Sequence, residues 1–284
     1  MKRVFKESEL ILNDRGAVYH LDLLPNEIAD TIITVGDPQR VKKVSQYFDT
    51  VDIKRKKREF KTHTGTLNGM RISVISTGIG SDNIDIVLNE LDALVNVDLE
   101  TRTEKDELKS LNFIRIGTSG GLREDLDIES FVVNTHAIGM DGLGTYYGEA
   151  DESKKLEIHD SPLPLYMGEA SQQLVETIGR RMIKGVGITA GGFYAPQGRS
   201  IRYRVDHDKF ISNLSSLSVG KIDVTNMEME TAALYMLAKK LGHNAVSCNV
   251  ILANRVTGIF SQMPGECVDR LIRSVLQELT HSMI

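Results

Sequence analysis

Arginine, glycine and hydroxyl side chains gather at the ends of three predicted strands, a combination that is typical of anion binding. The three segments are Gly36–Arg40 (GDPQR), Ser76–Gly80 (STGIG) and Arg115–Gly121 (RIGTSGG), and the last is expected to form a tight turn. Arginine holds its donors in a fixed fork, and glycine lets a ligand approach the backbone N–H groups. One such segment alone is explained better by turn glycines and a surface arginine. Three at strand ends predict a site for phosphate or another small anion.

Two glutamates lie where a helix is predicted to begin, in the segment Asn226–Ala233 (NMEMETAA). A carboxylate in that place can accept the hydroxyl protons of a ribose diol. Glu228 is also explained as an acidic first-turn residue that the helix dipole stabilises. Glu230 follows Met227 and Met229, which indicate an apolar pocket where a carboxylate needs a ligand or a partner.

Several well-known catalytic motifs are absent from the sequence. There is no GxxxxGK(S/T) loop, and Gly78 and Gly80 lack the third glycine of a dinucleotide-binding fingerprint. Neither an HExxH motif nor a Cys/His zinc spacing occurs. Nucleotide hydrolysis and hydride transfer are therefore disfavoured, and we expect no metal and no cofactor.

Short apolar runs that alternate with amphipathic helical patterns must position these residues. The predicted strands are Thr31–Val35, a hairpin of Glu59–Leu67 and Met70–Ser76, Asn112–Ile116, Ser130–Ile138, Met182–Thr189 and Asn244–Ala253. The predicted helices begin after Asp37 and after Gly80, and others cover Leu174–Arg181, Met227–Leu241 and Gly265–Met283. A glycine-rich loop is predicted up to Gly148, and another loop over Ala190–Arg199. Strands that alternate with helices indicate an α/β fold.

The composition favours one globular domain. Of the 284 residues, 41% are hydrophobic and 26% are charged, and neither a linker nor a repeat divides the chain. The polar stretch Asp98–Ser110 is predicted to be a surface insertion. A formal net charge of −5 argues against a nonspecific nucleic-acid or anionic-membrane binder. Two cysteines, no signal-peptide pattern in Met1–His20 and no apolar run of membrane-spanning length predict a cytoplasmic protein.

Five motifs together make the sequence resemble the nucleoside phosphorylase family, which includes purine nucleoside and uridine phosphorylases. They are GDPQR at Gly36–Arg40, KREF at Lys57–Phe60, STGIG at Ser76–Gly80, RIGTSGG at Arg115–Gly121 and NMEMETAA at Asn226–Ala233. They occur in order within Tyr19 to Arg255, so chance is a poor explanation. The resemblance implies a single α/β domain over residues 1–284, with a central mixed β-sheet flanked by helices.

The resemblance also implies roles for individual residues. Those implied to bind phosphate are Gly36, Arg40, Arg115 and Thr118, with Arg58 reaching in from a neighbouring subunit. Those implied to bind ribose are Met229 and Glu230, with His20 (matched in the segment YHLDL) reaching in from the neighbour. His20 alone is also explained as a solvated loop histidine. Because His20 and Arg58 would act across an interface, we expect a homo-oligomer that is at least a dimer.

The segment Phe193–Arg199 (FYAPQGR) resembles the uridine phosphorylase branch. There the matching side chains bind the uracil edge, so Gln197 and Arg199 are implied to bind the base, and Phe193 to pack on the sugar or base. An amide can donate to O2 and accept from N3–H, while arginine stabilises charge that spreads toward O4. Purine members usually carry an aspartate where this sequence has Asn254. The implied reaction is the reversible phosphorolysis of uridine to uracil and ribose 1-phosphate, with phosphate as a co-substrate.

Alternatives remain open at this point. A purine nucleoside phosphorylase or a nucleosidase that uses water would carry similar motifs, and a nonenzymatic nucleoside- or anion-binding protein is a rival from another class. Ser81, Asp82 and Asn83 follow Gly80, where bacterial relatives often have a second glycine and a serine that helps to hold an interfacial monovalent ion. This departure and the insertion Asp98–Ser110 leave the choice of dimer or hexamer, and any bound monovalent cation, undecided.

Overall fold

The structure is a computed structural model that describes residues 2–158 and 161–281. Its strands are β1 Thr31–Val35, β2 Thr50–Lys57, β3 Phe60–Leu67, β4 Met70–Ser76, β5 Val97–Asp98, β6 Thr103–Glu104, β7 Asn112–Gly121, β8 Phe131–Met140, β9 Asp151–Ile158, β10 Ser161–Glu169, β11 Ile183–Ala190, β12 Ser218–Val219, β13 Ile222–Glu228 and β14 Asn244–Asn254. Its α-helices are α1 Pro38–Ser45, α2 Ser81–Asn96, α3 Leu143–Tyr146, α4 Gln172–Ile178, α5 His207–Ser215, α6 Thr231–Lys240 and α7 Pro264–His281. Within these described ranges, no helix is long and apolar enough to cross a membrane. The predicted α/β class is confirmed.

Several predicted elements form with little change. The strand Thr31–Val35 has the expected bounds, and β3 and β4 form the expected antiparallel hairpin. Asn68 and Gly69 turn it with positive φ angles of 48° and 78°, as an Asn-Gly pair in a tight two-residue turn requires. The last predicted helix is confirmed as far as His281, and its expected end at Met283 lies outside the described residues.

Other elements were not predicted. β2 alternates exposed and half-buried residues and carries five charged side chains, so no apolar run marks it. β9 and β10 pair antiparallel although the sequence places Pro162 and Pro164 in β10, and proline is unfavourable inside a strand. The loop predicted up to Gly148 contains the short helix α3. The surface insertion is confirmed, because Asp98–Ser110 is exposed or half-buried throughout.

β7 continues through residues that were expected to turn. The prediction ended the strand at Ile116, whereas the strand runs from Asn112 to Gly121 and includes the whole RIGTSGG motif. Its last residues pair antiparallel with β13, Gly120 opposite Met227. The expected tight turn is therefore wrong. The motif is extended backbone, and its successive side chains point to opposite faces of the sheet.

The chain divides into two compact units, the first of which consists of Met1–Ile79, Asn83–Ile114 and Leu237–Asn244. Within this first unit, β1 lies parallel to β4, and β3 pairs antiparallel with both β4 and β2. Helix α1 packs on β3 and β4, and its Val41 and Val44 are fully buried. The first unit thus contains a mixed sheet on which helix α1 packs.

The second unit consists of Gly80–Asp82, Arg115–Met236 and Ala245–Ile284. β11 lies parallel to β8 and β13, while β14 and β10 pair antiparallel with β8, so this sheet is also mixed, as expected. One buried cluster of its core comprises Leu122, Met140, Leu165, Val186, Ile188, Ala190, Ile211, Leu214, Val224 and Met227. Helix α4 packs on β8 and α7.

Helix α6 begins at Thr231 rather than at Met227, because β13 continues through Glu228. The Glu228 carboxylate accepts hydrogen bonds from the backbone N–H groups of Glu230 at 2.9 Å and Thr231 at 3.0 Å. These are donors that the first turn of a helix cannot satisfy by itself. Glu228 therefore caps the helix from the end of a strand, and its expected place inside the first turn is wrong.

Candidate active site

Arg115 is the centre of a buried charged cluster in the second unit. Its side chain is 8% exposed, and its Nη2 contacts Glu230 Oε2 and lies 3.2 Å from Glu228 Oε2. Burial alone would lower the pKa of Arg115, but the two carboxylates outweigh that effect and raise the pKa. The guanidinium therefore stays charged although it is almost out of contact with solvent.

Glu230 has the partners that its buried position demands. One carboxylate oxygen accepts a hydrogen bond from the Gly80 N–H at 2.8 Å, and the other pairs with Arg115. Burial raises the pKa of Glu230 and Glu228 adds to the effect, whereas Arg115 and the Gly80 N–H oppose it. The predicted need for a partner is confirmed. A carboxylate held at both oxygens has a fixed direction, as a group that orients a ligand must have.

Two glycines of the RIGTSGG motif make room for arginine side chains. A Cβ atom on Gly117 would lie 1.9 Å from Arg115 Nη1, and a Cβ atom on Gly120 would lie 3.1 Å from Arg255 Cγ. The sequence predicts that these glycines let a ligand approach the backbone, and it gives no indication that Gly120 packs on an arginine. For Gly117, the sequence contains one such indication. Arg115 and Gly117 are two residues apart, and residues with this spacing in a strand lie on the same face.

Arg199 contacts both of the other predicted base-binding residues, Phe193 and Gln197. Arg199 Nη1 donates to the Phe193 carbonyl oxygen at 2.8 Å and to Gln197 Oε1. Its guanidinium lies 3.8 Å from the centre of the Phe193 ring, where the face of an aromatic ring attracts a cation. Gln197 is buried, whereas Phe193 is 51% exposed. The loop therefore presents an aromatic ring, an amide and a guanidinium as one group.

Arg255 lies near Arg199 and was not predicted as a site residue. Both arginines line a cavity of about 390 Å³, together with Tyr194, Gly198, Ser200 and Ile201. Burial, and then the charge of Arg255, lower the pKa of Arg199 to about 10. Burial also lowers the pKa of Arg255. Two neighbouring guanidinium groups favour a ligand that offers carbonyl oxygens or negative charge. Nothing in the spacing of the sequence indicated this neighbour.

Asn254 stands where purine members usually carry an aspartate, and its side chain forms hydrogen bonds with the surrounding backbone. Its Nδ2 donates to the carbonyl oxygens of Arg123 at 2.8 Å and Leu126 at 2.9 Å. Its Oδ1 accepts from the N–H groups of Val256 at 2.9 Å and Thr257 at 3.0 Å. The Asn254 side chain therefore makes four hydrogen bonds to backbone groups and holds these loop segments in place.

In the first unit, the GDPQR and STGIG segments follow neighbouring parallel strands. Val35 is paired with Ser76, so β1 and β4 end side by side. A Cβ atom on Gly36 would lie 3.4 Å from the carbonyl oxygen of Gly78, which places the two loops in contact. Arg40 lies in the first turn of α1 and is half-buried. Two of the three predicted anion-binding segments are thus adjacent.

His20 and Arg58, the residues predicted to act across an interface, belong to segments that meet in the first unit. His20 Nδ1 lies 2.6 Å from a Glu90 oxygen, and the His20 N–H donates to the same carboxylate. Arg58 is exposed in the turn between β2 and β3. The preceding Lys57 donates to the carbonyl oxygen of Tyr19, and its Nζ lies 4.0 Å from the Tyr19 ring centre.

The remaining predicted residues lie in the second unit. Thr118 is half-buried in β7, and Met229 is half-buried between β13 and α6. The next residue, Ser119, is buried, and its hydroxyl has no hydrogen-bond partner among the described residues. In the described part of the chain, no three His, Cys, Asp or Glu side chains are grouped so that they could hold a metal ion.

Known proteins are similar to this chain over most of its length. The sequence model of the phosphorylase superfamily matches residues 30–270. A uridine phosphorylase of Thermococcus kodakarensis is 30% identical over 262 residues, which are 92% of this chain and 86% of that protein. A DeoD-type purine nucleoside phosphorylase of Bacillus subtilis is 27% identical over 242 residues, which are 84% of this chain and 88% of that protein.

A solved structure agrees with these similarities. A nucleoside phosphorylase of Trypanosoma brucei, described as showing uridine phosphorylase activity, superposes with a TM-score of 0.82 at 28% sequence identity. The superposition covers 96% of this chain and 99% of that chain.

Proposed function

Since the chain belongs to the phosphorylase superfamily, we propose that it catalyses the reversible phosphorolysis of uridine, which yields uracil and ribose 1-phosphate. The observation that carries this choice is the contact of Arg199 with both Phe193 and Gln197, with Arg255 nearby. An amide beside two guanidinium groups suits a base whose edge carries two carbonyl oxygens and an N–H. Relatives of both the uridine and the purine type are similar to this chain, and the base loop favours uridine.

The reaction needs no nucleophile from the protein. Phosphate attacks the anomeric carbon as the bond to the base breaks, the electron pair of that bond leaves with uracil, and the configuration inverts. The protein has to position both substrates and to stabilise charge in a centre with oxocarbenium character. Arg199 and Gln197 would receive the negative charge on the leaving base, and Glu230 would orient the ribose.

The other assignments follow from the resemblance. We propose that Gly36, Arg40, Arg115 and Thr118 bind phosphate, with Arg58 of a neighbouring subunit. Met229 would join Glu230 at the ribose, His20 of the neighbour would meet its 5′-hydroxyl, and Phe193 would pack on the sugar or base. The chain would act as one catalytic domain over residues 1–284, in the cytoplasm and as at least a dimer.

One assay tests the reaction. Release of the free base is followed by ultraviolet absorbance with uridine, thymidine and inosine, which would yield uracil, thymine and hypoxanthine, each with and without phosphate. We expect release from uridine only when phosphate is present, and little turnover of inosine. Release without phosphate would instead identify a nucleosidase, preferential turnover of inosine a purine enzyme, and tight binding without product a binding protein.

Mixing two inactive variants tests the shared site. In His20→Ala the residue reaching into the neighbour is missing, and in Arg199→Ala the base-binding residue is missing. If each site of a dimer draws on both subunits, half of the randomly mixed dimers hold one intact site, so activity returns to about a quarter of wild type. Activity that stays at the level of the separate variants would contradict the proposed dimer site.

A further inference from the structure

We propose that Asn249 is a positioning residue for phosphate, because it fixes the Arg115 guanidinium from the side opposite to the two glutamates. The inference rests on the proposed function, in which Arg115 binds phosphate. Asn249 belongs to none of the motifs that the sequence analysis singled out. It lies in β14 and is fully buried.

The contacts of Arg115 are divided between its two terminal nitrogens. Nη2 faces the carboxylates of Glu228 and Glu230. Nη1 donates to Asn249 Oδ1 at 2.8 Å and lies 3.5 Å from the Ser247 hydroxyl oxygen. Without Asn249, the guanidinium would be held firmly on one side only. The guanidinium could then rotate about the side-chain bonds of Arg115, which would displace the N–H donors that are proposed to bind phosphate.

Asn249 is itself immobilised by a buried polar network. Its Nδ2 donates to Asn134 Oδ1 at 2.9 Å and to Ser247 Oγ at 3.1 Å. Asn134 in turn donates from Nδ2 to Asn226 Oδ1 at 2.7 Å. All four side chains are fully buried, so no water competes for these hydrogen bonds. Rigidity of this kind is what a group needs if it is to hold another group in place.

The position of the contact links it to the RIGTSGG motif. A Cβ atom on Gly117 would lie 2.4 Å from Asn249 Oδ1, so the hydrogen bond between Arg115 and Asn249 passes over Gly117. Gly117 separates Arg115 from Thr118 in β7, and both of these residues are proposed to bind phosphate. Asn249 therefore acts at the strand segment that carries both groups.

The neutrality of the amide also matters. Arg115 already faces two carboxylates, so a third acidic partner would leave the cluster with an excess of two negative charges beside an anionic substrate. The Asn249 amide accepts a hydrogen bond from the guanidinium without adding charge. It thus orients the arginine and leaves its attraction for phosphate undiminished.

A matched pair of variants separates positioning from stability. Asn249→Leu and Asn226→Leu each replace a buried amide that contacts Asn134 with an apolar side chain of similar size. Only Asn249 also contacts Arg115. We measure the KM for phosphate, the KM for uridine, kcat and the melting temperature for both variants and wild type.

We expect Asn249→Leu to raise the KM for phosphate on the order of ten-fold, because a hydrogen bond to a charged group is lost, while the KM for uridine changes much less. Asn226→Leu should lower the melting temperature similarly and raise the KM for phosphate much less, because Asn249 keeps its direct hydrogen bonds to Arg115, Asn134 and Ser247. An unchanged KM for phosphate in Asn249→Leu, or an equal rise in Asn226→Leu, would overturn the inference.

A second variant and a binding measurement complete the experiment. If Asn249→Leu does not fold, Asn249→Ser replaces it, because a serine keeps a polar partner for the network but is too short to reach Arg115. Calorimetric titration with inorganic phosphate alone gives the same comparison without turnover. Wild-type enzyme without phosphate-dependent release of uracil would refute the proposed function, whereas normal wild-type activity with unaffected Asn249 variants would refute only the role of Asn249.

Discussion

The Arg115 guanidinium lies directly over the backbone of Gly117, two residues further along the same strand. A side chain as small as a methyl group at Gly117 would occupy the space of Arg115 Nη1, at 1.9 Å. The glycine is therefore required by a neighbouring arginine, whatever else binds in front of it. The buried pairing of Arg115 with Glu228 and Glu230 depends on this space.

Gly117→Ala should lower kcat/KM for uridine phosphorolysis on the order of 100-fold, because Arg115 would be displaced and one preorganised donor lost. Gly265→Ala is the matched control, since a Cβ atom at Gly265 would meet no other atom within 4 Å. Steady-state kinetics on both variants check the prediction. Full activity in Gly117→Ala would show that Arg115 does not need its present position.

Arg199→Ala should slow the turnover of uridine on the order of 100-fold or more, because the charge on the leaving base would lose its nearest donor. The loss should appear mainly in kcat, since the charge develops in the transition state. Arg202→Ala removes an exposed arginine three residues away and should leave kcat unchanged. Near-normal turnover by Arg199→Ala would refute the assignment of the base site.

Asn254→Asp should destabilise the protein by about 3 kcal/mol without creating a purine enzyme, because a carboxylate cannot donate to the carbonyl oxygens of Arg123 and Leu126. The aspartate would instead place a negative charge next to the partially negative carbonyl oxygens of Arg123 and Leu126, in a buried environment. Denaturant unfolding and an inosine assay check both parts. Gain of inosine phosphorolysis with unchanged stability would contradict the structural role of Asn254.

His63 should make the stability depend on pH. It is buried in β3, its Nδ1 lies 2.7 Å from the Ser45 hydroxyl oxygen, and burial, with Lys61 and Lys54 nearby, lowers its pKa from 6.5 to about 4. Since protonation then favours the unfolded chain, the contribution of His63 is complete above pH 6.5 and is lost as the pH falls toward 4. From pH 7.5 to 5, wild type should lose about 2 kcal/mol more than His63→Gln.

Denaturant unfolding of both proteins at the two pH values measures this difference. Each protein is compared with itself at pH 7.5, where the His63 of wild type is neutral in both the folded and the unfolded state. Parallel losses in wild type and His63→Gln would show that other groups set the pH dependence.

Much of the fold could be predicted because local signals were strong. β1 is a β-branched run that ends at a glycine, and the Asn68-Gly69 turn fixes the hairpin that follows. β13 was missed because buried polar residues interrupt its apolar pattern. Thr225 donates to the Val186 carbonyl oxygen and Asn226 pairs with Asn134. These partners are distant in sequence, so they leave no periodic pattern in it.

The sequence could group the residues of the candidate site only where they lie close together along the chain. Phe193, Gln197 and Arg199 lie within seven residues of one another, so the loop that holds them could be recognised as one unit. Asn249 lies in the last strand and Arg255 directly follows it, and only tertiary pairing brings them to Arg115 and Arg199. The spacing of these residues in the sequence indicates neither the proximity of Arg255 to Arg199 nor that of Asn249 to Arg115.

The orientation of the buried amides behind Arg115 follows from the charge of that residue. Arg115 can only donate, so Asn249 must turn its oxygen toward the guanidinium and its amino group toward Asn134. Asn134 must then offer its oxygen on that side, while it exchanges hydrogen bonds in both directions with Asn226. One permanent cation therefore orients the Asn249 and Asn134 amides in the interior of the sheet. In a chain without that cation, the Asn249 amide could exchange the positions of its oxygen and its amino group, and the orientation of Asn134 would no longer be imposed from that side.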